Sequence, residues 1–147
     1  MEKFDCRNDI IYLIRHLSKL LQADFEMRVA EAGLTAAQAR VLLFIGRKTN
    51  VDNIEVHQND VQNEFALAKS TVNGLISRLE KNDFVKRENV KNHVNLTLTE
   101  KGNNTISQIR DGRIATINKL FENHSEEQKQ KILNELNQLI NNLEGGN

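Results

Sequence analysis

Apolar residues recur at intervals of three and four along most of the chain, which is the spacing of one face of an α-helix. The first such stretch predicts one long helix over residues 5–30, ended by Ala32-Gly33. Thr35 and Gln38 form a capping-box pattern, so a second helix is predicted from there to about Arg47, followed by a polar turn over residues 48–54. The apolar positions of the first stretch are Ile10, Leu13, Ile14, Leu17, Leu20, Leu21 and Phe25.

Two shorter helices are predicted in the middle of the chain, over residues 58–65 and 69–81. Only Ala66, Leu67 and Ala68 separate them. Two short helices joined by so tight a turn indicate a helix-turn-helix. The pair alone is a weak indication, because many helical bundles contain one.

The period then changes from three and four to two. Val94, Leu96 and Leu98 alternate with polar residues, which is typical of a strand, and residues 84–87 are a plausible partner strand. The polar residues 88–92 between them predict the tip of a β-hairpin. A hairpin directly after the second short helix is the element order of a winged helix, which makes the helix-turn-helix prediction much stronger.

Two further helices are predicted at the end of the chain, with Thr99 capping the first and Ser125 with Gln128 opening the second. The fold class is therefore mainly α with a small β-hairpin wing, in a single domain of 147 residues. We predict a winged helix-turn-helix core over residues 34–100. Residues 5–31 and 101–144 form its flanking helical region.

Composition excludes several classes of protein. Lys plus Arg and Asp plus Glu both number 20, and Cys6 is the single cysteine, so no internal disulfide is possible. The longest apolar run, residues 41–45, is too short to cross a bilayer, and the first residues lack the apolar run of a signal peptide. We therefore expect a cytoplasmic protein with no membrane partner. The four histidines are scattered, and no phosphate-binding loop or nucleophile with its base is found, so we expect no metal, no cofactor and no enzyme.

The arrangement resembles the multiple-antibiotic-resistance regulator (MarR) family of dimeric winged-helix transcription factors. The resemblance follows the element order of the whole chain and is most specific from Leu34 to Gly102. Three stretches carry it together: LTAAQARVL at residues 34–42, STVNGLISRLEKNDFVKR at 70–87 and LTEKG at 98–102.

The resemblance implies that residues 69–81 form the recognition helix, which enters the major groove of double-stranded DNA. An asparagine can pair with an adenine edge, and hydroxyl groups and lysine can contact phosphates. Ser70 and Thr71 have a helix-capping alternative, and Arg78 has an ion-pair alternative. The expected DNA-binding residues are Gln58, Asn59, Lys69, Ser70, Thr71, Asn73, Gly74, Ser77, Arg78, Arg87, Lys91, Asn92 and His93.

The chain departs from the family pattern at the wing tip. Members usually carry Asp-x-Arg there, with the arginine in the minor groove, whereas this chain has Val90, Lys91 and Asn92. Gly74 is a second departure, since members often have a larger side chain. Residues 68–93 carry six basic and three acidic side chains, which is a modest positive surface for a DNA-binding protein.

The flanking helices carry apolar faces that the small winged helix cannot bury, so we expect a homodimer on a near-palindromic operator. The alternative to a homodimer is that the apolar faces of the flanking helices pack against one another within one subunit. The family also implies repression that is relieved by a small, possibly aromatic or phenolic, ligand. Tyr12, His16, Phe44 and Arg47 are candidates for its site, although each is more often plain core or surface.

Two alternative functions remain open at this point. One is a redox-responsive regulator that acts through Cys6, whose only neighbouring base is Arg7. The other is a winged-helix interaction module that binds protein without specific DNA binding. The missing wing arginine favours the second alternative slightly.

Overall fold

The first long helix begins later than its apolar pattern predicts. The structure is a computed structural model that describes residues 5–145, apart from the side chain of Cys6. A 3-10 turn at Cys6–Asn8 precedes helix α1, which runs from Ile10 to Glu31. The Asp9 carboxylate accepts the N–H groups of Ile11 and Tyr12 at 2.8 and 3.2 Å. Because this cap satisfies the first N–H groups, it sets the helix start, and the predicted start at residue 5 is wrong.

The capping box at Thr35 and Gln38 is confirmed and opens helix α2, Ala36–Gly46. The Thr35 hydroxyl accepts the Gln38 N–H at 3.2 Å, and the Gln38 side chain accepts the Thr35 N–H at 3.0 Å. The chain then continues as a π-helical turn over Arg47–Val51, where we predicted an irregular turn. The Thr49 hydroxyl donates to the Ile45 carbonyl at 2.9 Å, so a side chain satisfies a carbonyl in this wider turn.

The helix-turn-helix has the predicted limits, with α3 at Gln58–Phe65 and α4 at Lys69–Lys81. Ala66 ends α3 in the left-handed conformation, with φ of 50°. The inner face of α4 is buried, and its residues are Val72, Leu75, Ile76 and Leu79.

The wing is longer than predicted and belongs to a three-stranded antiparallel sheet. Strands β1 (Val56–His57), β2 (Val85–Val90) and β3 (His93–Leu98) lie in the order β1-β3-β2. Val85 pairs with Leu98 and Val90 pairs with His93, so only Lys91 and Asn92 form the tip. The predicted tip over residues 88–92 is therefore too long, because polar residues continue the ladder. Strand β1 was not predicted, since two residues show no alternation.

The junction of α4, β2 and the next helix is the tightest contact of the winged helix. Helix α5 runs from Glu100 to Leu120, and Thr99 precedes it as predicted. The Phe84 carbonyl accepts the Thr99 N–H at 3.1 Å. The Thr99 hydroxyl donates to the Asp83 carbonyl at 2.5 Å and also lies 3.1 Å from the Phe84 carbonyl oxygen, and its own oxygen accepts the Gly102 N–H at 2.9 Å. The Lys101 ammonium donates to the Asn82 carbonyl at 2.8 Å and lies 4.4 Å from the centre of the Phe84 ring. These contacts tie the turn between α4 and β2 to the start of α5.

The chain divides into two compact units, Met1–Gly112 and Arg113–Asn147. The first contains the winged helix and a hydrophobic core to which α1 to α4, the sheet and the first half of α5 contribute. The second contains the end of α5 and helix α6, Glu126–Glu144, which Ser125 and Gln128 open with the predicted capping box. The predicted fold class, mainly α with a small wing, is confirmed.

Both units leave apolar side chains exposed. In α1 these include Ile10, Leu13, Ile14, Leu17, Leu20 and Leu21, and in α6 they include Leu133, Leu136, Leu139, Ile140 and Leu143. Within the described residues, no single helix is long and apolar enough to cross a membrane, although α1 and the segment Ala36–Val51 would pass as a pair bent by 82°.

Replacing Gly102 with alanine should destabilise the protein severely. A Cβ atom there would lie 2.1 Å from the Phe84 carbonyl oxygen, a backbone atom that cannot rotate away. We expect the free energy of unfolding to fall by about 3 kcal/mol or more, as for strongly overpacked sites. Urea unfolding at an unchanged m-value measures this loss.

Gly112→Ala is the matched control, because its Cβ would meet the flexible Arg28 side chain at 3.1 Å. We expect this variant to keep or slightly raise the free energy of unfolding, since alanine favours a helix. Equal free energies of unfolding for the two variants would show that the close approach of Gly102 to the Phe84 carbonyl does not limit the size of the side chain there.

Candidate nucleic-acid interface

The polar face of α4 is exposed, as the recognition-helix prediction requires. Lys69, Ser70, Thr71, Asn73 and Ser77 are all exposed, whereas the apolar face behind them is buried. The N-cap is Ala68, which has no side-chain hydrogen bond to the helix. The alternative that Ser70 or Thr71 caps α4 is therefore wrong. The first-turn N–H groups lack a side-chain cap and lie at the positive end of the helix, a ready site for an anion.

Arg87 of β2 reaches across to α4 and holds two of the predicted DNA-binding residues. Its guanidinium donates to the Asn73 amide oxygen at 2.9 Å and to the Ser77 hydroxyl oxygen at 3.0 Å. The Nε atom of Arg87 is buried and has no hydrogen-bond partner among the described residues. We predicted Arg87 as a DNA contact, and the structure places it behind Asn73 and Ser77, half-buried.

A hollow of about 180 Å³ brings five other predicted residues together. It joins the start of α3, the start of α4 and the wing tip. His57, which the sequence analysis did not select, also lines it, and its ring meets the His93 ring edge-on at 4.8 Å. No motif marks His57, because its position follows from the pairing of β1 with β3. The predicted residues that line this hollow are Gln58, Asn59, Lys69, Asn92 and His93.

Gln58 differs from the other candidates because it is buried, with its side-chain oxygen unpartnered among the described residues. Arg78 and Lys91 are exposed. A Cβ atom added at Gly74 would meet no atom within 4 Å, so the fold does not require glycine there. An open surface at the middle of α4 leaves room for another molecule to approach the helix backbone.

The four ligand candidates form two separate pairs. The Tyr12 and His16 rings stack at 5.9 Å on α1, and Tyr12 is exposed. Phe44 is buried edge-on against Phe65, and the Arg47 guanidinium lies 5.8 Å from its ring centre. The structure thus places Phe44 and Arg47 together and does not show all four around one cavity.

A second, wider hollow of about 690 Å³ lies beside Phe44 and is bordered by α3 and β1. Glu55, His57 and His93 are among the residues that line it. The Glu55 carboxylate lies 3.8 Å from His57 and accepts the Asn95 amide. Among the described residues, no group of three or more histidine, cysteine, aspartate or glutamate side chains is arranged to hold a metal ion.

The redox candidate, the Cys6 side chain, lies outside the part of the chain that the structure describes. Its neighbour Arg7 donates to the Asp5 carboxylate at 2.9 and 3.0 Å. These hydrogen bonds lower the pKa of Asp5 and raise the pKa of Arg7 from their ordinary values. Because Arg7 is paired with Asp5, its charge is partly compensated near Cys6.

The helix-turn-helix, the wing and the exposed polar face of α4 together define a winged helix-turn-helix protein. The model of the MarR family matches residues 32–93, the segment that contains the helix-turn-helix and most of the wing. A relative in Bacillus subtilis, the HTH-type transcriptional repressor YetL, is 23% identical over 130 residues, which cover 86% of this chain and 76% of YetL. The resemblance to the MarR family of winged-helix transcription regulators is thereby confirmed.

Solved structures show the same fold. MepR, a transcription regulator of the Staphylococcus aureus multidrug efflux pump MepA, is 20% identical, with a TM-score of 0.78 over 91% of this chain and 98% of MepR. A MepR–DNA complex is also 20% identical, with a TM-score of 0.70 over 91% of this chain and 97% of that one.

Gly74→Ala should separate folding from recognition at α4. We expect the free energy of unfolding to rise by about 1 kcal/mol, because alanine favours a helix and its methyl group meets no protein atom. We expect DNA affinity to fall, because the methyl group occupies the open surface of the helix. Urea unfolding and a binding titration measure the two effects.

Gly112, a helical glycine in α5, is the control, since its replacement by alanine leaves the α4 surface untouched. Unchanged DNA affinity in Gly74→Ala would contradict a close approach of the duplex at this turn.

Proposed function

We propose that this protein binds a specific DNA sequence and regulates transcription, most simply as a dimeric repressor. The observation that carries the proposal is the α4 surface, where exposed polar side chains surround a helix N-terminus without a side-chain cap, beside the wing. The solved complex of MepR with DNA supports it, because MepR shares this fold. The family resemblance is to regulators, and we propose no catalytic activity.

In this proposal α4 lies in the major groove, and its N-terminus points toward the sugar-phosphate backbone of the DNA. Lys69 and the first-turn N–H groups bind phosphate, which fixes the position of the helix without reading sequence. Asn73 lies about one helical turn after Lys69 and Ser77 about two turns after it, and both side chains reach base edges. The wing contributes Lys91, Asn92 and His93 along the backbone, and Arg78 serves as a further phosphate contact.

The exposed apolar faces of α1 and α6 support a dimer. Leu17 is 43% exposed and Ile140 is 50% exposed, within rows of similar side chains. A row of exposed apolar side chains on each helix is unusual for a monomer and favours an interaction site. A twofold dimer presents two recognition helices to successive major grooves, with half-sites about one helical turn apart.

Relief of repression by a small aromatic or phenolic ligand is the finer part of the proposal. Phe44 borders the wider hollow, and the Arg47 guanidinium lies 5.8 Å from its ring centre and 3.5 Å from the Glu64 carboxylate. An acidic or phenolic ligand would compete with Glu64 for this guanidinium. Release requires that the ligand bind the DNA-free state more tightly than the DNA-bound state.

Selection of bound duplexes from a random library tests the proposal as a whole. We expect enrichment of a near-palindrome with half-sites about 10 base pairs apart, and a modest dependence of affinity on salt. Unenriched binding that disappears at moderate salt would contradict it and favour a protein-binding winged helix.

Lys69→Glu should abolish DNA binding while the dimer persists. The change reverses a charge at the α4 N-terminus, where phosphate is expected, and Lys69 is exposed, so folding should not suffer. Fluorescence anisotropy with the selected duplex measures affinity, and sedimentation measures the assembly. Lys131→Glu is the matched control, since it makes the same charge change on α6 and should leave binding within about twofold. Retained binding by Lys69→Glu would refute this docking.

Leu17→Glu should dissociate the dimer and thereby weaken operator binding. A buried, unpaired carboxylate in the shared apolar face opposes association, whereas in a monomer Leu17 is already partly exposed. Lys19→Glu, on the opposite side of α1, should leave the assembly unchanged. Sedimentation at micromolar concentration distinguishes them, and a Leu17→Glu protein that stays dimeric would place the interface elsewhere.

A further inference from the structure

We propose that Arg87 is a positioning residue for base recognition, which orients Asn73 and Ser77 so that α4 presents hydrogen-bond donors and selects guanine in preference to adenine. This inference rests on the proposed function and specifies how its recognition helix reads sequence.

The backbone of Arg87 is held in place from two sides. Its N–H donates to the Glu80 carboxylate at 3.1 Å, which links β2 to the last turns of α4. On the sheet side, Arg87 pairs with Leu96 of β3, which is buried. The backbone of Arg87 is therefore fixed beside α4, and its side chain extends toward that helix.

The guanidinium then bridges two residues one helical turn apart, Asn73 and Ser77. Arginine carries only donors, so the group of Asn73 that faces Arg87 must be its amide oxygen. The amide nitrogen, at the other end of the side chain, is then the group left for another partner. Likewise the Ser77 oxygen accepts from Arg87, which leaves its hydroxyl hydrogen free to donate.

An asparagine that reads adenine donates to N7 and accepts from N6, so it uses both ends of its amide. Here the oxygen is already engaged by a charged donor, and charge-assisted hydrogen bonds are about twice as strong as neutral ones. Each of the two oxygens keeps one lone pair, but the groups that Arg87 leaves wholly unengaged are the Asn73 amide N–H groups and the Ser77 hydroxyl hydrogen, which are donors. In the major groove, guanine offers two acceptors, N7 and O6, whereas adenine replaces the second acceptor with an amino donor. The arrangement therefore favours guanine opposite this turn of α4.

Asn73 and Ser77 are both uncharged acceptors, so neither forms an ion pair with the Arg87 guanidinium. A direct phosphate contact by Arg87 is the competing role. A phosphate contact would raise the affinity for all DNA sequences equally and steepen the salt dependence of binding, without changing the preferred base.

The test is duplex selection with the full-length wild type and with Asn73→Ala, Arg87→Met and Arg78→Met. We expect wild type to prefer guanine over adenine by about fivefold or more at one symmetric position in each half-site. Asn73→Ala, at an exposed position where folding is safe, should lose that preference. Arg87→Met should shift the same position toward adenine, because the Asn73 oxygen is released.

Arg78→Met is the matched control, because it removes the same charge from an exposed position on α4. It should weaken binding without changing the preferred base. Arg87→Lys keeps a charged donor and should retain part of the guanine preference, which a purely structural role would not predict.

The outcomes separate the two proposals. If wild type enriches no sequence, both the proposed function and this inference fail. If wild type enriches an operator but Asn73→Ala or a folded Arg87→Met variant gives an identical base profile, only the inference fails. A loss of affinity in Arg87→Met with a shallower salt slope and unchanged preference would assign Arg87 to phosphate.

Discussion

The winged helix depends on the contact between the Phe84 carbonyl and the start of α5. That carbonyl accepts the Thr99 N–H, the Thr99 hydroxyl donates to the neighbouring Asp83 carbonyl, and the absence of a side chain at Gly102 allows the helix to lie against Phe84. Lys101 closes the same turn from outside by donating to the Asn82 carbonyl. Because β2 leaves α4 through this turn, the contact determines where the wing lies relative to α4.

The placement of β2 has a direct chemical consequence on α4. The wing tip lacks the arginine that the family pattern supplies for the minor groove. The arginine that this chain does place beside α4, Arg87, donates to Asn73 and Ser77. In the proposed function, recognition therefore depends more on the orientation of α4 side chains than on insertion of the wing. A small excess of basic residues around α4 agrees with that view, since base contacts supply specificity and phosphate contacts mainly supply affinity.

In the proposed function, the flanking helices α1 and α6 pair two copies of the chain. Their exposed apolar rows would make little sense on a free surface, and burial at about 25 cal/mol per Å² of apolar area is the simplest driving force for pairing two copies. Such pairing would set the distance between two recognition helices. An effector that changes this distance would change operator affinity without touching DNA.

The sequence by itself determined the helices, the wing and their order. Helical periodicity, capping boxes at Thr35 and Ser125, and the change to period two are local signals, because each involves residues within a few positions of one another. It also determined which face of α4 is apolar, and so which side chains are exposed. The start of α1 at Asp9 and the two-residue wing tip were locally encoded as well, but in weaker signals.

Only the tertiary structure decided how the site is organised. Strand β1 exists because residues 56–57 pair with β3 about 40 positions later, and that pairing brings His57 beside His93. The hydrogen bonds of Arg87 to α4 span 10 and 14 positions, so no periodicity reveals them. Gln58 is an expected surface residue that the packing of α3 buries. Side-chain orientation depends on partners brought together by folding, and this is why the sequence predicts candidate residues of the interface but not the atoms that they present.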